Sequence, residues 1–377
     1  MVTLDGPPPR RRAWPLTGWR ARLIANPRFQ NWAARFPPTR GLVRRDGAAL
    51  FDLVAGFCHS QVLAALVEFD VLAPMLDGDA TIADLAQSRG VPAERMRVLL
   101  NAGAALGLLR RRRSDRFALT RKGAALLGVP GLCDMIRHHR ALYRDLSDPV
   151  AFFRGETATE VAAFWPYVLG DRAADDGAAV DRYSDLMARS LDLVARDTLD
   201  ACDLSGVKRL LDVGGGTGLF LAAAGRRHPH LRLSLLDLPD VVTSGLAALE
   251  APDLRDRVTV HPGSFRDDPL PKGCDAISLV RVLYDHSDET VRALLAAAYE
   301  ALPPGGLLLI SEPMSGGARP ARAGDAYFAI YTVAMGTGRT RSADELAGLC
   351  RDVGFRAMRP QRAPRPYITS VLTCRRP

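Results

Sequence analysis

The segment Asp212-Val213-Gly214-Gly215-Gly216-Thr217-Gly218 constrains this chain more than any other, because it sets four glycines between an apolar strand and an apolar helix. Leu210, Leu211 and Val213 read as the buried strand, and Leu219 to Gly225 as the helix. Glycine at a strand-to-helix turn permits positive φ and lets a ligand lie against bare backbone. Asp237 ends the next apolar run, 23 residues after Gly214, where a carboxylate can accept both ribose hydroxyls of a nucleoside. A glycine turn alone also fits a dinucleotide dehydrogenase or a plain loop; the turn and the acid together predict an adenosine site. Gly263-Ser264-Phe265, after the third run, can flank an adenine.

Apolar runs at 208–213, 231–236, 257–261, 275–280 and 307–311 alternate with helical segments such as Asp288 to Leu302. Strands alternating with helices predict an α/β fold with a doubly wound, Rossmann-like parallel sheet. Gly354-Phe355 and a strand from Tyr367 to Thr373 are expected to close it in antiparallel fashion.

Upstream, Thr81 can cap a helix from Ile82 to Ser88, Gly90 makes a turn, and Pro92 suits the start of a helix to Leu106. Two short strands, Leu108 to Arg112 and Arg116 to Leu119, flank Ser114-Asp115 before Thr120 opens another helix. Helix, turn, helix and hairpin make a mainly α winged-helix unit, preceded by an apolar helix from Gly47 to Phe69. The expected division is a basic arm over 1–46, the winged-helix unit over 47–128, a helical linker and pocket segment over 129–200, and the nucleoside-binding domain over 201–377.

Charge is concentrated at one end. Residues 1–45 hold ten Arg, no Lys and one acid, Asp5, a net of +9 in a chain whose total is +8. The arm also carries Trp14, Trp19 and Trp32. No uninterrupted apolar run of membrane-spanning length and no secretory signal pattern is evident, which predicts a cytoplasmic protein. The six cysteines are scattered without a metal-ligand spacing, so reduced thiols and no metal site are expected. Arg110 to Arg113, Arg116, Arg121 and Lys122 at the wing raise a DNA-binding regulator as a rival. The would-be recognition helix offers Arg95, Arg97 and Asn101 and then mostly Ala, Gly and Leu, so no nucleic acid is expected.

The stretch Leu210 to Phe355 resembles the small-molecule O-methyltransferases related to acetylserotonin and caffeate methyltransferases. The family's VGGGTG, DLP, GDF-like, LHDW-like and PGG segments are matched in order by Val213 to Gly218, Asp237-Leu238-Pro239, Gly263-Ser264-Phe265, Leu283-Tyr284-Asp285-His286 and Pro304-Gly305-Gly306. The resemblance implies S-adenosyl-L-methionine as cofactor and a homodimer formed through the winged-helix domain. It also implies a cofactor set of Asp212, Gly214, Gly216, Asp237, Leu238, Ser264 and Phe265, with Asp237 at the ribose and Ser264 and Phe265 at the adenine. Ser264 departs from the family's aspartate. Tyr183 and Met187 match an aromatic and a methionine placed near the sulfonium and the acceptor; plain core at helical spacing is the other reading.

Methyl transfer from a sulfonium is an in-line displacement in which the protein chiefly aligns acceptor oxygen, methyl carbon and sulfur. Phenol methyltransferases of this family add a histidine base, where this chain has Tyr284. A neutral tyrosine is a poor base but can orient an alcohol; His286, two residues on, is the nearest imidazole. Three readings stay open: His286 as base, Tyr284 as orienting contact, or positioning alone.

Arg22 to Phe36, Leu50 to Phe57 and Val280 to His286 further resemble the hydroxyneurosporene (demethylspheroidene) O-methyltransferases of purple-bacterial carotenoid synthesis. That resemblance implies a large apolar small-molecule acceptor bearing a tertiary hydroxyl. A bacteriochlorophyll ring, a phenolic polyketide, or a relative that hydroxylates instead of methylating are the alternatives. A polyene resides in the bilayer, so the Arg/Trp arm over 1–45 is expected to make peripheral membrane contact, with a disordered tail or packing on a dimer partner as rivals.

Overall fold

The computed structural model describes residues 18–163, 191–244 and 246–377. Strands β1 (Ala80–Thr81), β2 (Leu109–Arg111) and β3 (Arg116–Leu119) form a small antiparallel sheet in the order β1-β3-β2. Its hairpin turns through Ser114 and Asp115, at φ 58° and 52°. The helix Ile82–Arg89 begins where the Thr81 hydroxyl accepts from the Asp84 N–H at 3.1 Å, and it stops at Gly90 with φ 63°. Thr120 caps the helix Arg121–Gly128 in the same way, through Gly123 N–H. Leu66, Met96, Leu100, Leu109 and Phe117 are fully buried between these elements, each stabilising the unit by about 1.5–3 kcal/mol.

The long N-terminal helix runs Pro37–Glu68 and not from Gly47. The pair Pro37-Pro38 opens it, because proline in the first turn loses no hydrogen bond and has its φ preset. Only its last part, around Ala64, Leu66 and Val67, is buried; Leu50, Phe51, Leu53, Val54 and Phe57 are 64–73% exposed. Among the described residues it is the one helix long and apolar enough to cross a membrane by length and composition. Before it lie the short helices Trp19–Ile24 and Pro27–Arg35, the second capped by Asn26.

The second sheet has seven strands: β4 (Arg209–Val213), β5 (Arg232–Asp237), β6 (Val258–Pro262), β7 (Ala276–Val280), β8 (Leu307–Glu312), β9 (Arg356–Gln361) and β10 (Ser370–Arg375). Their order is β6-β5-β4-β7-β8-β10-β9, the first five parallel and the last two antiparallel. The closing strand starts later than Tyr367, since Ile368 and Thr369 turn back onto the Arg365 carbonyl. β9 escaped the sequence reading because its Arg356, Arg359 and Pro360 are polar or strand-breaking, which suits an exposed edge. The end of the presumed linker packs into this domain: Val194, Ala195 and Leu199 are buried with Leu210, Phe220 and Leu235. Thr198, Ser311 and Thr369 share a buried hydroxyl chain at 2.6 and 2.7 Å.

Parallel strands bring their carboxyl ends to one edge, where open α/β sheets bind ligands. That edge collects the glycine turn after β4, Asp237 at the end of β5, the segment 281–286 after β7, and Glu312 at the end of β8.

Candidate active site

The glycine turn has the conformation its sequence demands. Gly214, Gly216 and Gly218 stand at φ 67°, 58° and 73°, a region that L side chains rarely enter. A Cβ on Gly215 would lie 2.4 Å from Asp212 Oδ2 and 2.5 Å from Leu235, whereas one on Gly216 would meet nothing within 4 Å. The turn is packed beneath and bare above. Gly216 N–H donates to Asp237 Oδ2 at 2.7 Å, and Leu238 N–H to Asp237 Oδ1 at 2.8 Å. The acid and the turn, separate in sequence, are thus one unit.

Asp212 is fully buried and accepts from Ser278 Oγ at 2.6 Å through Oδ1, while its Oδ2 has no hydrogen-bond partner. Burial pushes its pKa up to about 7 against the Ser278 bond, and the Asp237 charge adds to the rise. Burial also raises Asp237 above the usual carboxylate range. Desolvated carboxylates beside bare backbone favour a ligand with both a nucleoside and a cationic group.

Beyond β7, Arg281 adopts φ 58°, and the short turn Leu283–Asp285 follows. Glu312, only 2% exposed, holds that turn: Oε1 accepts Val282 N–H at 3.1 Å and Leu283 N–H at 2.7 Å, and Oε2 accepts Tyr284 N–H at 3.4 Å. Burial raises Glu312 to about 7. The Tyr284 hydroxyl is buried and accepts from Arg281 Nη2 at 3.2 Å, and burial raises its pKa well above the ordinary value. Asp285 is buried with Oδ1 unpartnered, its pKa raised by burial and by Glu312.

His286 is 8% exposed and neither caps the following helix nor faces solvent. Ser287 caps the next helix, Asp288–Ala301. The His286 Nδ1 accepts from Arg266 Nη2 at 3.1 Å, and its ring meets Phe265 edge-on at 5.3 Å. Burial, with Arg266 and Arg341 nearby, lowers its pKa to about 4. The ring is therefore neutral at neutral pH and sits with Phe265 rather than with Tyr284. Ser264 Oγ accepts from Arg266 N–H at 3.2 Å, and Ser264 N–H donates to Asp268 at 2.8 Å.

Arg341 locks the far side, donating to the Leu283 and His286 carbonyls at 2.9 and 2.8 Å and to Asp288. His286, Asp285 and Arg266 border a cleft of about 760 Å³ with Thr332 and Gly336. Tyr183 and Met187 lie outside the described residues. Among the described residues no cluster of His, Cys, Asp or Glu is arranged to hold a metal.

Ser278, Arg281, Glu312 and Arg341 escaped the sequence reading. The visible signals were a serine inside the apolar run 276–280 and an acid ending the run 307–312. Arg97 of the would-be recognition helix and Arg111 of the wing pair with Asp115 at 2.9 Å, while Arg116 and Lys122 donate to the Asp79 and Leu106 carbonyls.

A doubly wound sheet with a bare glycine turn bonded to an acid at the next strand end, behind a winged-helix unit, defines a class I S-adenosylmethionine-dependent methyltransferase. The chain belongs to the O-methyltransferase family: residues 143–356 match its O-methyltransferase domain and residues 51–128 its dimerisation domain. It is 54% identical to the demethylspheroidene O-methyltransferase of Cereibacter sphaeroides, over 98% of each chain. It is 48% identical to that of Rhodobacter capsulatus, over 94% of this chain and 88% of the other. Among solved structures, CalO1, a methyltransferase of calicheamicin biosynthesis in its SAH-bound form, superposes with a TM-score of 0.72 at 27% identity. That superposition covers 88% of this chain and 98% of the other. The protein is a methyltransferase that transfers the methyl group of S-adenosyl-L-methionine to oxygen.

Proposed function

We propose that the acceptor is the tertiary hydroxyl of a hydroxylated carotenoid of the demethylspheroidene or hydroxyneurosporene type, placing the enzyme in spheroidene biosynthesis. The observation that carries this reading is the identity of 54% over 98% of both chains with a demethylspheroidene O-methyltransferase. Tyr284 supports it, because a buried tyrosine bonded to a guanidinium is a poor general base. An alcohol, unlike a phenol, is too weak an acid to be deprotonated before attack. Purified enzyme given labelled S-adenosylmethionine should label a detergent-dispersed hydroxylated carotenoid and leave a phenolic polyketide and a bacteriochlorophyllide unlabelled. Label in a control alone would overturn the reading.

S-adenosylmethionine, when bound, supplies an electrophilic methyl group on a sulfonium whose leaving group is a neutral thioether. The residues fit it: Gly216 offers bare backbone, with Gly214 beside it packed on Val282, Asp237 with Leu238 beside it faces the ribose, and Ser264, Phe265 and His286 border the adenine. Asp212 and Asp285 each leave a buried oxygen unpartnered; burial raises both carboxyls, and a nearby sulfonium would favour their charged forms. In this reading His286 belongs to the cofactor wall and Tyr284 orients the acceptor side. The division into arm, winged-helix dimerisation domain, pocket segment and catalytic domain follows the same assignment.

The exposed apolar stretch from Leu50 to Phe57 is read as the face a second copy covers, giving a homodimer. The arm before it is read as a peripheral membrane contact of a cytoplasmic enzyme. Phe29, Trp32 and Phe36 form a ring ladder at 5.6 and 4.8 Å, and Trp19 and Trp32 are 68% and 52% exposed. Arg20, Arg22, Arg28 and Arg35 surround them, the composition that seats indoles at a bilayer interface under anionic headgroups. Deleting residues 1–36, up to the start of the long helix, is expected to weaken sedimentation with anionic vesicles about tenfold or more. Unchanged sedimentation would sink the membrane reading.

A further inference from the structure

Two adjacent histidines face two tyrosines one helical turn apart. On the helix Leu132–Asp145, His139 Nε2 lies 2.6 Å from Tyr327 Oη and His138 Nε2 lies 2.7 Å from Tyr331 Oη. Tyr327 sits in the π-helical turn Gly324–Phe328, and Tyr331 in the helix Ala329–Met335 that continues it. Their setting is otherwise apolar, with Leu142, Phe152, Val161, Ala334 and Met335 in one cluster. His139 and Tyr327 are half-buried, so a ligand can reach them.

Two contacts and one electrostatic coupling put this layer at the catalytic edge of the sheet. A Cβ on Gly324 would lie 2.2 Å from the Met314 carbonyl, so the π-helical turn is seated on the backbone just past β8. The helix Ala329–Met335 packs on the turn Leu283–Asp285. Arg281, which donates to the Tyr284 hydroxyl, also acts electrostatically on Tyr327, opposing the burial that pushes that hydroxyl up to about 12.

We propose that Tyr327 receives the acceptor hydroxyl and that Tyr327 and His139 relay its proton away during methyl transfer. The inference rests on the alcohol acceptor proposed above. As the new O–C bond forms and the C–S bond breaks, the acceptor oxygen becomes positively charged and its proton strongly acidic. That proton passes to Tyr327 Oη while the tyrosine's own proton moves to His139 Nε2, leaving a neutral ether, a neutral tyrosine and an imidazolium. The base need not be strong; it must be neutral and in place. His139 meets both needs, since burial with His138 alongside holds its pKa near about 4. Tyr284 does not, because a proton arriving there meets the Arg281 cation.

Steady-state kinetics of the full-length enzyme with a hydroxylated carotenoid test this. His139→Gln keeps a hydrogen-bonding group near Nε2 but cannot take a proton, and Tyr327→Phe removes one oxygen. Each is expected to lower kcat about 10²-fold or more, within the usual span of proton-transfer catalysis. KM for the carotenoid should stay within a few-fold, and calorimetric affinity for S-adenosylmethionine should be unchanged. The double variant should be no slower than the slower single one, because both remove the same relay. A kcat within threefold of wild type in Y327F, or effects that multiply in the double variant, would overturn the relay. Should the wild type label only a phenol, the acceptor reading fails and the relay for an alcohol with it.

Discussion

Replacing Asp237 by alanine is expected to lower the affinity for S-adenosylmethionine by about 10²-fold or more in calorimetry. In the proposed placement the carboxylate takes both ribose hydroxyls, and hydrogen bonds to a charged group contribute ~1.5–3 kcal/mol each. Their loss also frees Gly216 N–H, now held at 2.7 Å, so the bare turn itself loosens. Asp237→Asn keeps an acceptor oxygen and should fall between the two. Burial raises the Asp237 pKa, so affinity should decline on acidification sooner than an ordinary carboxylate would dictate. An alanine variant with wild-type affinity would show the cofactor to be held elsewhere.

The second large effect is expected at Glu312, which touches no reacting atom. Glu312→Leu leaves the N–H groups of Val282, Leu283 and Tyr284 buried without their acceptor. At ~1–3 kcal/mol for each unsatisfied group, destabilisation of about 3–5 kcal/mol follows, a loss of roughly 10 °C in Tm. Catalysis should collapse with it, since this turn carries Tyr284 and Asp285 into the site. Glu312→Gln retains a carbonyl where Oε1 accepts its two shorter bonds and should remain folded. The pH dependence separates Glu312→Gln from wild type. Burial raises Glu312 from its ordinary 4.5 to about 7, so the folded state holds the proton more tightly than the unfolded one. Wild type therefore loses this contribution as pH rises from about 4.5 to about 7, and Glu312→Gln should not. Parallel melting curves of wild type and Glu312→Gln across that range would refute this account.

Legibility followed sequence distance. The turn 214–218, Asp237, the capping residues Thr81 and Thr120, and the five parallel strands were readable because each depends on neighbours along the chain or on a short continuous apolar run. The terminal edge was less so: β9 has the composition of a loop, and only pairing with β10 makes it a strand. Pro37-Pro38 begins a helix, because proline's penalty applies inside a helix and not in its first turn.

The catalytic side was only half legible. Position 284 could be named, yet nothing local shows that its hydroxyl faces Arg281 or that His286 turns to Phe265 and Arg266. A histidine two residues from the family's base position looks poised in sequence; the tight helical turn Leu283–Asp285, at about three residues per turn, rotates successive side chains and sends it to the other wall, where burial lowers its pKa.

The sequence by itself determined the donor half of this enzyme: a glycine turn and an acid on consecutive parallel strands, which the sheet must bring to one edge. The tertiary structure alone decided the pairings proposed for the acceptor half. His139 and Tyr327 are 188 residues apart, and Glu312 holds a turn 28 to 30 residues away. Contacts at such separations arise from how helices pack across the sheet edge, and no local pattern of residues encodes them.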